Sequence, residues 1–285
     1  KHKICKILLV ILAIFLCVAF YELLGICVAY KKQPEVSNTT KKETKNGSWN
    51  ECSENTERAV IIEKNPEALL QRVRLIKNAK KEIILSTFAF QSDESGKLIL
   101  GALHDAADRG VHIRLLVDGM ESWIDMEGNP YFYGLSSHEN VEIKLYNKAN
   151  PLKPWKMMGR MHDKYLIADG KRYILGGRNT YNYFLGDFPG HKNYDRDVLV
   201  VCDEPEKENS VNQLLEYFET IWEQEDSGYF HDNKKLANRK SVKNAVLELQ
   251  NGYQKYFEEN KERICDTDYT DETFETEKIA LVSNP

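Results

Sequence analysis

The amino-acid sequence predicts an α/β fold with a mostly parallel central sheet and helices on both faces, preceded by one transmembrane helix. Three observations lead to this prediction. Strand-like apolar segments alternate with helix-like amphipathic segments. An unbroken run of fourteen apolar residues begins at Ile7. The 285 residues are 42% hydrophobic and 29% charged, which is typical of a globular protein with a substantial core.

The apolar run predicts a membrane anchor. With Glu22 as its one interruption it extends to Tyr30, and residues 7–30 as a helix span roughly 36 Å, against about 30 Å of hydrocarbon. A cleaved signal peptide is the alternative, but residues 28–30 are a poor cleavage site. We therefore expect a retained anchor at 1–32 in the cell membrane, followed by a polar tether at 33–58.

Elements of the predicted sheet follow in order. Residues 65–79 predict a helix because Asn65-Pro66 is a helix start, and Gly110 predicts the end of the next helix. Strand, helix, strand, helix, strand order implies parallel pairing, and ligands bind at the carboxyl ends of such strands. The predicted elements are strands 59–62, 82–90, 111–118 and 141–145 and helices 65–79 and 96–109.

The second half predicts a hairpin and two long helices. Strands 165–168 and 173–175 flank an Asp169-Gly170 turn. A strand at 197–202 and helices at 207–223 and 234–260 follow, and residues 266–277 are acidic and predict a loop. On this basis residues 59–230 form a lobe, and residues 231–285 form a helical extension and acidic linker.

Charge and cysteine content argue against two classes of site. Without residues 1–32 the chain has 34 basic and 43 acidic residues, a net charge of −9, which argues against broad binding to nucleic acid. No Cys or His spacing predicts zinc or another metal. Cys52 and Cys265 lie near the two ends of the soluble part, so they form a disulfide pair or remain unpaired thiols, while Cys202 is expected to be buried.

The side chains best suited to catalysis or phosphate binding lie between His162 and Asn179. His162 and Lys164 are two residues apart at a strand edge, so their side chains face the same way. An ammonium group neutralises the negative charge of phosphate oxygens, and an imidazole can attack a phosphate ester or protonate it. Gly176 and Gly177 allow close backbone approach, and the Asn179 amide donates to an oxygen. The pattern predicts a phosphate site.

This spacing resembles the motif of the phospholipase D superfamily, H-x-K-x4-D-x6-G-(G/S)-x-N. Every position matches, with Gly177 where many members carry serine. The segments around residues 69–90, 106–119 and 194–201 also resemble the first lobe of bacterial cardiolipin synthase-like proteins. The resemblance covers roughly residues 59–222 and implies an α/β/α sandwich. It further implies one active site built from two such motifs, on two lobes or two subunits, and no metal or other cofactor.

The resemblance implies roles for individual residues. His162 is one of two catalytic histidines, of which one becomes a phosphohistidine and the other acts as general acid and base. Lys164 is catalytic and, with Asn179 and Gly177, binds the substrate phosphate. Asp169 is grouped with the catalytic residues, although a structural role is open. A possible acid that orients a histidine is Asp197, weakly preferred, or Asp195.

The sequence contains one such motif. Residues 278–285 resemble the opening of a second lobe, so we expect either a missing second lobe in the same chain or a homodimer in which two copies of His162 meet. His191, Arg160 and Arg178 are further candidates near the site. A set of apolar residues forms either an entrance for acyl chains or core packing, namely Tyr131, Phe132, Tyr133, Trp155, Met157 and Met158.

The function predicted from sequence is a phospholipase D-like phosphodiesterase or phosphatidyltransferase that acts on phospholipids. Synthesis of cardiolipin is its leading specific form, with the catalytic lobe on the outer face. The alternatives are a nuclease with the same motif and a non-catalytic, membrane-tethered half-site. The expected partners are a phospholipid substrate, the membrane and a second lobe, and no nucleic acid.

Overall fold

The computed structural model of the chain describes residues 2–31, 38, 41–42, 57–202, 209–231, 235–277 and 279–282. Most of the expected tether at 33–58 lies outside these residues, as does Cys52. The strands within them are β1 Glu57–Ile62, β2 Glu82–Thr87, β3 His112–Asp118, β4 Val141–Tyr146, β5 Lys164–Ala168, β6 Arg172–Gly176, β7 Asp197–Val201, β8 Ser227–Tyr229 and β9 Phe274–Thr276.

These strands form one sheet in the order β8-β4-β3-β2-β5-β6-β7-β1-β9. The α/β class is confirmed, but the sheet is mixed where a mostly parallel one was expected. Only β2 with β3 and β3 with β4 pair in parallel in the described part of the chain. On the other side of β2, β5 and β6 form a tight antiparallel hairpin that β7 and β1 extend. The edge strands β8 and β9 also pair antiparallel with their neighbours.

Helices cover both faces of the sheet. The helices are α1 His2–Lys31, α2 Asn65–Asn78, α3 Glu94–Asp108, α4 Gly119–Asp125, α5 Pro130–Ser136, α6 Ser210–Trp222, α7 Lys240–Glu259 and α8 Lys261–Cys265. Successive side chains of β3 alternate between the two layers: Leu115 packs under α2 and α3, and Leu116 packs with Phe218 of α6. This arrangement is an α/β/α sandwich.

Residues after 230 belong to the same core. Leu249 and Tyr253 of α7 are buried in the cluster that also holds the core residues of α3. β9 adds a strand to the edge of the sheet beside β1, where the sequence predicted only an acidic loop. The structure therefore places this segment on the lobe, where the sequence suggested an extension and linker. Farther on, Leu281 lies in an irregular segment and donates its N–H to Gln213.

One described helix is long and apolar enough to cross a membrane, Lys3–Lys31. Its C-terminal turns contact the lobe: the Tyr21 hydroxyl donates to the carbonyl oxygen of Leu152 at 2.9 Å. A Cβ at Gly25 would lie 2.3 Å from Cγ of Pro154, so only glycine permits this close approach. Cys202 is buried as expected, and Cys265 is an exposed free thiol.

Candidate active site

The candidate residues lie at the edge of the sheet where the parallel strands end. β2 ends at Thr87, and its antiparallel neighbour β5 places Lys164 directly opposite Thr87. His162 comes two residues before Lys164, at the same edge. The sequence predicted that this strand continues to residue 90. In the structure β2 ends at Thr87, and the next residue, Phe88, packs against the side chains of the site.

Phe88 is the contact that His162 and Lys164 share. The ring of His162 packs edge-on against Phe88 with centroids 4.7 Å apart, and Nζ of Lys164 lies 5.2 Å from the same ring centroid. The ammonium of Lys164 also donates to the carbonyl oxygen of His162 at 2.6 Å. The imidazole is exposed, so an incoming phosphate would meet imidazole and ammonium side by side.

Burial sets the protonation state of both groups. Lys164 is 5% exposed, and this desolvation lowers its pKa from 10.5 to about 8, although the charges of Asp163 and Asp195 act in the opposite direction. Desolvation, and then the charge of Lys164, lower the pKa of His162 below its ordinary 6.5. At neutral pH the imidazole is therefore neutral and carries the lone pair that a nucleophile or base needs.

Asn179, in the segment after β6, lies close to Phe88 because it bonds to the adjacent residue, Ala89. Its Oδ1 accepts a hydrogen bond from the N–H of Ala89 at 3.2 Å. This bond orients the amide and leaves Nδ2, within the described residues, available as a donor. The structure thus brings His162, Lys164 and Asn179 together around Phe88 and Ala89.

Gly177 makes room for Asp195. A Cβ at Gly177 would lie 2.1 Å from Oδ2 of Asp195, so a serine would displace this carboxylate. Asp195 in turn acts on the charge of Lys164. Glycine at this position, where the motif often has serine, therefore leaves the space that the Asp195 carboxylate occupies.

Asp197 occupies a different position from the one expected of an acid that orients His162. It is 2% exposed at the start of β7, and its Oδ2 pairs with Arg72 at 2.9 Å and with Arg178 at 3.2 Å. Arg178 is itself buried and is no surface charge. The two guanidinium groups hold Oδ2, whereas Oδ1 is buried without a hydrogen-bond partner among the described residues. Asp197 therefore has a structural role in the core, and the choice between Asp197 and Asp195 as an acid that orients a histidine stays a prediction.

Asp118 is a positioning residue that the motif analysis missed. It is buried at the end of β3, accepts from the N–H of Met161 at 3.1 Å and pairs with Arg160 at 2.7 Å. These bonds fix the backbone directly before His162, and the guanidinium of Arg160 lies 5.0 Å from the centroid of Phe88. The signal in the sequence was an acid at the carboxyl end of a buried strand.

Asp169 lies at the far end of β5, in the turn to β6. Its backbone φ is +54°, and its carboxylate accepts from the N–H groups of Lys80, Lys81 and Glu82 at 2.7 to 3.1 Å. The four steps from residue 164 to 168 alone extend about 13 Å. This distance corrects the grouping of Asp169 with the catalytic residues: its carboxylate ties the hairpin to the start of β2.

Replacing Asp169 with alanine is expected to lower the free energy of unfolding by about 2 kcal/mol, because three backbone donors lose a charged acceptor. The kcat/KM of the folded protein should stay within a few-fold of the wild-type value. Asp169→Asn is the matched control, since asparagine tolerates a positive φ and keeps one oxygen acceptor. Chemical denaturation and steady-state kinetics on the same samples test this, and a loss of turnover without a loss of stability would contradict it.

The remaining candidates separate into two groups. Phe132 and Tyr133 are buried core residues, whereas Trp155 and Met158 are 45% and 55% exposed. The ring of His191 is exposed and lies 5.5 Å from that of Tyr183. Among the described residues no group of three or more His, Cys, Asp or Glu could hold a metal ion.

Comparison with known proteins identifies relatives of this fold and site. The family described as cardiolipin synthase, phospholipase D-like domain, matches residues 72–222. An uncharacterised protein of Helicobacter pylori strain J99 is 30% identical over 212 residues, 69% of this chain and 39% of that one. Cardiolipin synthase C of Escherichia coli K12 is 29% identical over 171 residues, 55% of this chain and 34% of that one.

A solved structure agrees with the fold. Phosphatidylserine synthase of Haemophilus influenzae has a TM-score of 0.50 and 17% identity, covering 78% of this chain and 48% of that chain. At this identity the likeness concerns the fold alone. The chain spans about two fifths of the length of the curated relatives that it matches over the longest stretch.

Proposed function

We propose, from the premise that this chain belongs to the family of phospholipase D-like domains typified by cardiolipin synthase, that it forms half of the active site of a phosphodiesterase or phosphatidyltransferase for phospholipids. The observation that carries the proposal is the pairing around Phe88 of an exposed imidazole, His162, with a buried ammonium, Lys164. The second half of the site comes from a further lobe of a longer chain or from a second copy of this one.

The reaction proceeds in two displacements at phosphorus. One histidine of the pair attacks the phosphodiester, a P–N bond forms, and the P–O bond to the leaving alcohol breaks. The other histidine gives its proton to that alcohol, then removes a proton from the incoming hydroxyl, which restores a P–O bond and breaks the P–N bond. His162 serves as either member of this pair.

Lys164 and Asn179 stabilise the phosphoryl oxygens. The ammonium supplies a charge in a water-poor position, where it acts more strongly on a developing negative charge than it would in bulk water. The amide of Asn179 donates from a fixed orientation because Ala89 holds its oxygen. The charge of Asp195 raises the pKa of Lys164, and Asp195 and Asp197 are the two candidates for an acid that acts on a histidine, including the histidine of the second half.

A phospholipid is the favoured substrate class. Three observations support it: one helix among the described residues is long and apolar enough to cross a membrane, the chain outside residues 1–32 has a net charge of −9, and one relative is a cardiolipin synthase. The favoured specific reaction is the transfer of a phosphatidyl group from one phosphatidylglycerol to another, which releases glycerol and forms cardiolipin.

The test uses the full-length protein in phosphatidylglycerol vesicles. The lipid products are separated and identified by mass spectrometry. Cardiolipin with free glycerol supports a transferase, and phosphatidic acid with free glycerol supports a hydrolase. Plasmid DNA is incubated in parallel. Cleaved plasmid with unchanged lipid would overturn the proposal in favour of a nuclease, and no change in either substrate would favour a non-catalytic half-site.

The pH dependence of kcat/KM follows from Lys164. Its pKa of about 8 means that the free site loses the ammonium charge as the pH rises through 8, so kcat/KM for the phosphodiester should fall on the alkaline side. Arginine keeps its charge throughout this range. In Lys164→Arg the overall rate should be lower, because the planar group fits differently, but the alkaline fall should disappear. The same fall in both proteins would assign it to another group.

A further inference from the structure

Helix α1 has an N-terminal part that is free of the lobe and a C-terminal part that packs on it. Every described side chain from residue 3 to residue 18 is exposed. In contrast, Gly25 is buried and Glu22, Ile26 and Ala29 are partly buried. These positions recur at helical spacing, so the lobe packs on one face of the last turns.

The free part has the length of a membrane span. Residues 3–20 extend about 27 Å as a helix, close to the roughly 30 Å of a hydrocarbon core. Glu22, which is costly in lipid, instead lines a cleft together with Lys148 and His231 of the lobe. The boundary of the bilayer therefore falls near Tyr21.

Three large apolar side chains of the lobe are exposed at this level. Leu152, whose carbonyl oxygen binds the Tyr21 hydroxyl, is 78% exposed. Trp123 lines the same cleft as Glu22 and is 64% exposed, and its neighbour Ile124 is 67% exposed. Exposed apolar residues that stand singly are ordinary, but a group beside a membrane boundary marks a contact with lipid.

Lys153 supplies a basic group that suits an anionic bilayer. Its segment, 147–160, carries three lysines, one arginine and no acidic residue. Arg160 and Lys156 pair with acids of the lobe and Lys148 donates to a carbonyl oxygen, so Lys153 is the basic residue of this segment that the proposal uses. Lys153 is exposed next to Leu152. Basic residues near a surface of anionic lipid attract its phosphate groups.

We propose that Leu152, Trp123 and Ile124 insert into the boundary between headgroups and acyl chains of an anionic bilayer, with Lys153 against lipid phosphates. This docking surface adjoins the candidate site: α4, which carries Trp123, begins directly after Asp118, whose carboxylate fixes the segment before His162. A phospholipid would then reach the site without leaving the membrane. The surface is independent of the proposed reaction, and its test requires no turnover.

The test measures depth in the membrane by fluorescence. The full chain, with its six cysteines replaced by alanine, is reconstituted in vesicles of phosphatidylethanolamine and phosphatidylglycerol. Leu152→Cys and Ile124→Cys are labelled with an environment-sensitive probe. Leu247→Cys is the matched control, because Leu247 is also exposed, at 57%, but lies on α7. The quencher is a lipid with a nitroxide high on its acyl chain.

Probes at 152 and 124 should shift to the blue and lose about half or more of their emission, as expected at a depth of about 5–10 Å, while the probe at 247 stays unquenched. Equal behaviour at all three positions would overturn the proposal. A blue shift without lipid quenching would also overturn it, because protein would then cover the surface. In vesicles of phosphatidylcholine alone quenching should weaken, and undiminished quenching would refute the role of Lys153.

Discussion

Replacing His162 with alanine in the full-length protein should lower kcat at least about 10³-fold, because in the proposed reaction the exposed imidazole supplies either the nucleophile or the proton transfer. The protein should fold normally, since the ring packs only edge-on against Phe88 and its exposure leaves no cavity in the core. Turnover of phosphatidylglycerol vesicles and the far-UV circular dichroism spectrum, measured on one preparation, test both statements.

His191→Ala is the matched control for this loss. His191 is also exposed and follows the motif, but the structure places its ring beside Tyr183. We expect this variant to keep most of the wild-type kcat. Substantial turnover by His162→Ala would remove His162 from the catalytic pair, and equal losses in both variants would indicate a general effect on the protein.

Replacing Asp197 with alanine should produce the largest loss of stability, about 3–5 kcal/mol. The substitution leaves the guanidinium groups of Arg72 and Arg178 buried without their shared carboxylate. At about 2–4 °C per kcal/mol for a domain of this size, the midpoint of thermal unfolding should fall by about 10 °C. Near-UV circular dichroism of the full chain in detergent measures it.

Asp195→Asn is the control, because this carboxylate is only partly buried and its loss should change stability by less than about 1 kcal/mol. Asp197→Ala should also reduce activity at temperatures where it is folded, since Arg178 directly precedes Asn179. Equal midpoints for Asp197→Ala and wild type would mean that the buried arginines do not depend on this carboxylate.

The sequence by itself determined most of the elements and predicted the candidate phosphate site. Alternation of apolar residues predicted β3 and β4, and the Asp169-Gly170 turn predicted the β5–β6 hairpin. The spacing of His162, Lys164 and Asn179 predicted a phosphate site. These features are local: a strand, a turn and two side chains on one strand edge depend on residues a few positions apart, and such patterns are visible in one dimension.

The small edge strands β8 and β9 and the helices α4 and α5 were not predicted. They are short, and neighbours that lie far away in the sequence stabilise them: β9, for example, pairs with β1. The mixed direction of the sheet was likewise missed, since the pairing of β2 with β5 joins residues about eighty positions apart.

The tertiary structure alone decided what each acid does. The motif offered Asp169 as an acid of the site, and Asp197, weakly preferred, or Asp195 as one that orients a histidine. In the fold, Asp169 meets backbone N–H groups at the far end of β5, and Asp197 meets two arginines in the core. Of the three, Asp195 is the one whose charge raises the pKa of Lys164. A carboxylate takes its role from the charges and donors that surround it, and here most of those come from distant parts of the chain.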